Sequence, residues 1–170
     1  IRGETDGEGN PITIIDGQDS IRILSCTSGE GPDTIFENLV ISHGSAADAG
    51  GLFAEGSSPT FTNCRFEFNS GTGGVGHWGG AIYARNDANI NLIDCEFIAN
   101  HASGDGGGIY ASNSMIVLEN CAFIDNSATY EGGAIWVTAS ASLEITGCSF
   151  DNSTGRSAGA VGGQIGRAHV

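Results

Sequence analysis

The chain has 170 residues, a formal net charge of −14 and no lysine. A surface this acidic repels nucleic acids and anionic lipids, so neither is an expected partner. No stretch is apolar for long enough to span a membrane as a helix. Only 15% of the residues are charged and 28 are glycine, a composition also found in disordered segments. The apolar residues recur at fixed intervals, however, and this argues against disorder.

The first part of the chain contains short apolar segments separated by turn residues. Strands are predicted over 12–15 and 21–26, each followed by residues that favour turns. Two further short strands over 34–41 meet at Asn38. This pair of strands with an asparagine between them is the first version of a pattern that returns in the rest of the chain.

One pattern occurs three times between Gly79 and Phe150. Each copy begins with Gly-Gly, a small residue, isoleucine and an aromatic residue, and each later contains Cys-x-Phe. The cysteines of successive copies, Cys95, Cys121 and Cys148, are 26 and 27 residues apart. A fixed period in this range is typical of a solenoid, in which each repeat stacks on its neighbours.

The apolar spacing within a copy predicts strands joined by bends. Apolar residues alternate with period two, skip one position and alternate again, which indicates two strands with a bend between them. The residues just before the cysteine position tolerate the left-handed backbone that a sharp bend needs; they are Asn63, Asp94, Asn120 and Gly147. A third strand follows each Gly-Gly pair. The pattern therefore predicts an all-β, single-stranded parallel β-helix of about five rungs with three short strands each.

Superposed rungs predict four columns of inward side chains. The columns are Leu52, Ile82, Ile109, Ile135 and Val161; Phe36, Phe61, Leu92, Leu118 and Ile145; Leu39, Cys64, Cys95, Cys121 and Cys148; and Ile41, Phe66, Phe97, Phe123 and Phe150. In-register neighbours lie about 4.8 Å apart but lack the perpendicular torsion of a disulfide, so the cysteines are expected to be buried and unpaired. The alternative, a metal-binding column, has no histidine that converges on it.

Two recurring elements resemble a known class of repeat. The Gly-Gly-Ala-Ile elements at 79–82 and 132–135 and the Phe-x-x-Asn elements at 66–69, 97–100 and 123–126 are similar to those of polymorphic outer-membrane protein repeats. Residues 34–161 more broadly resemble right-handed β-helix repeat proteins of the pectin-lyase-like superfamily. The last copy departs from the pattern, since Ser153 stands where asparagine is expected.

The resemblance implies a function as well as a fold. It implies a secreted or cell-surface protein, including one displayed at the outer membrane, that serves as a structural or adhesion scaffold. The alternative is the scaffold part of a polysaccharide lyase or glycoside hydrolase whose catalytic rungs lie outside this chain. No catalytic residue is predicted here, because the carboxylates are scattered and the arginines form no column.

An aromatic column provides the candidate binding residues. Phe53, Tyr83, Tyr110 and Trp136 alternate with the inward column and are expected to face outward. Exposed aromatic rings stack on sugar rings. Tyr83, Tyr110 and Trp136, together with Trp78 from the longest loop, are therefore predicted to bind a neutral polysaccharide or a host or cell-surface glycan. In the alternative the rings stack on each other and are covered by the loops that precede each Gly-Gly pair.

Asn69, Asn100 and Asn126 recur at the end of one strand and are predicted to form a structural ladder of hydrogen-bonded amides. The alternative is that these amides bind a ligand. No metal site or cofactor is predicted. Calcium on an acidic loop stays open, but no EF-hand-like or RTX-like spacing supports it.

The ends of the chain suggest that it is an internal fragment of a longer protein. It starts without methionine, and no amphipathic helix is predicted to cap either end of the stack. Residues 165–170 are expected to be a non-native read-through tail, because they back-translate as ATC GGA AGA GCA CAC GTC, a common sequencing-adaptor stretch. Residues 1–164 then form a single β-helix domain.

Overall fold

The computed structural model describes residues 1–73, 76–138, 140–156, 159–163 and 168–169. Within these ranges the strands pair side by side in parallel and form four sheets, without any helix. The described residues accordingly include no helix that is long and apolar enough to cross a membrane. The prediction of an all-β parallel solenoid is confirmed.

We name the sheets A to D in the order in which the chain passes through them. Sheet A contains Ile35–Glu37, Thr60–Thr62, Asn89–Ile93, Met115–Glu119, Ser142–Thr146 and Ala168–His169. Sheet B contains Thr13–Asp16, Leu39–Ser42, Arg65–Glu67, Glu96–Ile98, Ala122–Ile124 and Ser149–Asp151. Sheet C contains Ser45–Ala46, Ser70–Gly71, His101–Ala102 and Ser127–Ala128. Sheet D contains Leu24–Cys26, Leu52–Glu55, Ile82–Arg85, Ile109–Ser112, Ile135–Val137 and Val161–Gly163.

A turn of the solenoid, which we call a coil, passes through sheets A, B, C and D and returns to sheet A one strand further on. Among the described residues the strands Thr13–Asp16 and Ser149–Asp151 of sheet B are followed directly by a strand of sheet D. The prediction of three strands per rung was incomplete, because sheet C adds a fourth strand of two residues. A strand of two residues has at most one buried side chain, such as Ala102, and therefore no alternation that a sequence pattern can reveal.

The bend between sheets A and B uses the residues that were predicted to make it. Asn38, Asn63, Asp94, Asn120 and Gly147 have φ angles of 57°, 47°, 52°, 52° and 66°. Asparagine, aspartate and glycine adopt this left-handed conformation at lower cost than other residues. The residue type at each bend therefore favours the bend, and the position of the bend sets the register of the strands on either side.

The predicted columns form the core. Ile82 pairs in register with Leu52 and Ile109, and all three side chains are fully buried. The rings of Phe66 and Phe97 stack at 5.0 Å with an interplanar angle of 2°, and those of Phe97 and Phe123 at 4.5 Å with 3°. These spacings approximate the distance between neighbouring strands, so the rings stack because the backbones do.

The cysteine column was predicted correctly except at its last member. All five cysteines are free, and Cys64, Cys95 and Cys121 are buried. Burial raises the pKa of the Cys64 thiol to about 11, which keeps it protonated and unreactive near neutral pH. Cys148, which was expected to be buried, is partly exposed. It directly precedes Ser149–Asp151, the last described strand of sheet B, so no later strand of that sheet covers it.

The two glycines of each Gly-Gly pair are needed for different reasons. The first has a positive φ angle, 69° at both Gly79 and Gly106. The second lies against the backbone of the following coil, where a Cβ atom on Gly107 would collide with the carbonyl oxygens of Gly133 and Ser127. The pair therefore brings successive coils into backbone contact between sheets C and D.

The predicted tail is only partly described. Ala168–His169 pairs with Leu143–Glu144 in sheet A, whereas residues 164–167 and 170 lie outside the described residues. The expected further rung over 157–161 begins with two residues that are also outside them, and it continues as Val161–Gly163 in sheet D.

We expect Gly107→Ala to lower the free energy of unfolding by about 3 kcal/mol, because the added methyl group meets immobile backbone. Urea unfolding followed by circular dichroism measures the change. Gly7→Ala is the matched control, since a Cβ atom there meets nothing within 4 Å. Equal stability of the two variants would contradict the packing role of the second glycine.

Candidate functional site

The predicted aromatic column lies on the outer surface of sheet D. Tyr83 pairs in register with Phe53 on one side and Tyr110 on the other, and Tyr110 pairs with Trp136. The side chains of these residues point away from the core because each one follows an inward residue of the Ile82 column. The column therefore exists where the sequence placed it.

Tyr83 and Tyr110 point outward as predicted, but their rings are covered and not exposed. These residues are only 5% and 7% exposed. The ring of Trp78 stacks on Tyr110 at 5.2 Å with an interplanar angle of 23°, and its edge meets Tyr83 at 5.9 Å. Trp78 lies in the longest connection between sheets C and D, which joins Gly71 to Ile82. Its side chain therefore reaches over the column and covers it. The cluster is thus a small second core on the outside of the sheet, as in the alternative considered from the sequence.

Carboxylates contact Trp78, which covers the column, and the residues at the equivalent positions of the next coils. Trp78 occupies the position directly before a Gly-Gly pair, as do Asp105 and Glu131 in the next two coils. The backbone N–H of Trp78 donates to Oδ1 of Asp48 at 3.4 Å, and Nδ1 of His77 lies 3.5 Å from the same oxygen. Oδ1 of Asp105 accepts a hydrogen bond from the backbone N–H of Glu131 at 3.0 Å, and burial raises the pKa of Asp105.

Two arginines close the N-terminal end of the column. The guanidinium carbons of Arg22 and Arg85 lie 4.8 Å and 4.9 Å from the centre of the Phe53 ring. Arg22 also donates to the carbonyl oxygen of Asp48 at 2.7 Å, and Arg85 pairs with Glu55. The two guanidinium groups therefore cover part of the Phe53 ring, which stays partly exposed.

Trp136 lies at the other end of the column and is partly exposed. Its partner in the next strand of sheet D is Gly162, which has no side chain. The aromatic stack therefore stops at Trp136, because the in-register residue of the next described strand contributes no ring. Of the four residues predicted to bind a ligand, Trp78 and Trp136 are partly exposed, and Trp136 is the one at the end of the stack.

Residues 5–166 match the sequence model of the right-handed β-helix region. The chain belongs to the right-handed β-helix family. This match covers most of the chain and agrees with the four parallel sheets, so the predicted right-handed fold is confirmed. Searches of curated proteins and of solved structures found no match.

The asparagine ladder runs inside the right-handed β-helix at the bend after sheet B. Asn69, Asn100 and Asn126 are fully buried. Nδ2 of Asn69 donates to Oδ1 of Asn100 at 3.1 Å, and Nδ2 of Asn100 donates to Oδ1 of Asn126 at 3.0 Å. The same Oδ1 atoms accept the backbone N–H groups of Asn69 and Asn100. Because the amides are inaccessible and their groups are bonded, they serve the fold and offer nothing to a ligand.

One exposed aromatic residue was missed in the sequence. Phe68 is 49% exposed and stacks on His43 at 5.3 Å with an interplanar angle of 21°. It directly precedes Asn69, so its position recurs in every coil that contributes to the ladder. The signal in the sequence is the recurring position directly before each ladder asparagine, where Phe68 is the only aromatic residue.

No group of three or more His, Cys, Asp and Glu side chains that could hold a metal ion occurs among the residues that the structure describes. A polar cleft of about 80 Å³ lies beside the bend between sheets A and B. Its carboxylate Asp94 already accepts a hydrogen bond from Asn120 at 3.2 Å, and Glu96 faces Arg65 at 3.9 Å.

We expect Asn100→Ala to lower the free energy of unfolding by about 3 kcal/mol, because it leaves buried donors and acceptors of the neighbouring coils without partners. Urea unfolding measures the loss. Asn91→Ala is the control, because this partly buried residue on the outward side of sheet A makes no side-chain hydrogen bond among the described residues. A loss no larger in Asn100→Ala than in Asn91→Ala would show that the ladder is dispensable.

Alkaline pH should weaken the aromatic cluster. Burial, with smaller contributions from Tyr83 and Asp105, raises the pKa of Tyr110 from 10.0 to about 12. A raised pKa in the folded state means that this contribution to stability is complete below pH 10 and is lost as the pH rises through about 12. Unfolding free energies measured across this range should fall, and Tyr110→Phe should reduce the slope. An identical slope in the variant would contradict the assignment.

Proposed function

We propose that this right-handed β-helix is a non-catalytic scaffold, located outside the cell or on its surface, that contacts a neutral polysaccharide through Trp136. The observation that carries the proposal is the partly exposed indole of Trp136 with Gly162 in register beside it. A sugar ring placed there would continue the aromatic stack of sheet D in the position that the next coil leaves without a side chain.

The chemistry of an indole ring suits a sugar. Its face is apolar and matches the C–H face of a pyranose, and its N–H group is available to a hydroxyl. The net charge of −14 disfavours anionic chains, so a neutral polysaccharide is the better ligand. The cluster beneath supports the ring, because the covered Tyr83 and Tyr110 hold the neighbouring positions of the stack fixed.

The regular stacking of the coils supports the scaffold role. Successive coils bury one continuous core along the axis, and this suits a rigid support that presents its outer surface to partners. Location outside the cell is supported by the similarity of the Gly-Gly-Ala-Ile and Phe-x-x-Asn elements to repeats of secreted and surface-displayed proteins. One aromatic contact contributes about 1 kcal/mol, so retention on a polymer would rely on several weak contacts acting together.

We expect Trp136→Ala to weaken retention in affinity gel electrophoresis on neutral polysaccharides by about fivefold, the loss of one stacking contact. Cellulose, mannan and xylan derivatives provide the panel, and circular dichroism verifies folding. Trp136→Phe should keep most of the retention because it keeps a ring.

Phe68→Ala is the matched control, because it removes an exposed aromatic ring from another part of the surface. Unchanged retention of Trp136→Ala across the panel, or an equal loss in Phe68→Ala, would refute a specific contact at Trp136.

A further inference from the structure

The outer corner between sheets B and C carries a column of side chains that is separate from the aromatic column of sheet D. Its members each precede the ladder position and each have a positive φ angle, between 51° and 55°. They are His43, Phe68, Ala99, Asp125 and Asn152. We call this set the corner column. Its side chains project from the bend while the asparagine that follows each of the middle three points inward.

Phe68 is an unusual occupant of this column. The left-handed conformation is costly for a bulky residue and is tolerated by Asn and Asp, which hold the later positions. Phe68 gains little burial in return, since it is 49% exposed. An aromatic ring that is strained and exposed at the same time indicates a role at the surface.

A slot follows Phe68 along the column. One face of its ring stacks on His43, and the other face looks toward the coil of Ala99, where the column has only a methyl group. The next member is Asp125. Because strands are about 4.8 Å apart, Phe68 and Asp125 are separated by about 10 Å along the stack. That distance admits one planar cation stacked about 3.7 Å from the ring, with the carboxylate about 6 Å beyond it, close enough for charge attraction.

The walls of the slot accept donors and positive charge. Oδ1 of Asp125 accepts a hydrogen bond from Asn152 at 2.7 Å, which leaves Oδ2 for a further donor as far as the described residues show. On the sheet B side, Ile98 lies in register between Glu67 and Ile124, so the wall is apolar with a carboxylate at one end. Arg65 is already paired with Glu67 at 3.0 Å.

The sheet C side adds one titratable group. His101 is exposed, and its Nδ1 atom lies 3.0 Å from Oγ of Ser127.

We propose that this slot binds a guanidinium group, presented by an arginine side chain of a partner protein. A guanidinium is planar, stacks on an aromatic face and carries a positive charge, which matches a phenyl ring on one side and a carboxylate further along the column. Neutral sugars fit less well, because they carry no charge for the carboxylate of Asp125 to attract. The net charge of −14 attracts a basic partner toward this corner.

The test is a titration of the folded, isotope-labelled protein followed by NMR. N-acetyl-arginine amide is the probe, and N-acetyl-citrulline amide, which has a similar planar shape without the charge, is its control. We expect the arginine probe to shift the amides of Phe68, Ala99 and Asp125 with at least tenfold higher affinity than the citrulline probe. The affinity should fall when sodium chloride is raised, because the contact is partly exposed.

Three variants separate binding from folding. Phe68→Asn should lower the affinity at least threefold, the loss of an exposed cation–π contact, and yet raise thermal stability because asparagine suits the left-handed bend. Asp125→Asn should lower the affinity while it retains a side chain that can bond Asn152. Glu119→Gln, which removes an exposed carboxylate from sheet A, should leave the affinity unchanged.

Equal binding of arginine and citrulline probes, shifts centred elsewhere, or full affinity in Phe68→Asn would overturn the proposal. Shifts of the same amides by methyl glucoside at similar concentration would also overturn it, since the slot would then be a sugar platform. Trp136→Ala should bind the arginine probe normally, so this result is independent of the polysaccharide contact.

Discussion

The structure depends on the in-register pairing of each coil with the next. A coil cannot satisfy its own backbone N–H and C=O groups, because its hydrogen bonds run along the axis to neighbouring coils. Every side chain therefore stands about 4.8 Å from the equivalent side chain of the next coil. Residues that pack well against copies of themselves suit this constraint, which explains the stacked rings of Phe66, Phe97 and Phe123 and the bonded amides of the asparagine ladder. Glycine occupies the places where the coils meet backbone to backbone.

Features set by neighbours in sequence could be predicted. Period-two alternation identified the inward columns, and the tolerance of Asn, Asp and Gly for left-handed geometry identified the bends between sheets A and B. Both signals depend only on residues that are close in sequence, and both recur in successive coils, which makes them easier to recognise.

Features set by contacts across loops could not be predicted. The cover of Trp78 over Tyr110 depends on the path of one long connection, which has no counterpart in other coils. The exposure of Cys148 depends on where sheet B ends among the described strands. The strands of sheet C are too short to show a period. Phe68 was not predicted as a surface residue, because it lies between Phe66 and Asn69, whose buried side chains account for the pattern of the segment.

The asparagine ladder also aligns a row of amide dipoles along the axis of the interior. Asn69 donates to Asn100 and Asn100 donates to Asn126, so the side-chain dipoles point the same way and polarise one another. At one end of the ladder, Oδ1 of Asn69 accepts a hydrogen bond from the backbone N–H of Gly44 at 2.9 Å. At the other end Ser153 replaces the next amide, and Nδ2 of Asn126 turns back to the carbonyl oxygen of Ile124 at 3.2 Å. The chain of dipoles therefore has a defined beginning and end, and its two termini differ in charge character as the ends of an α-helix do.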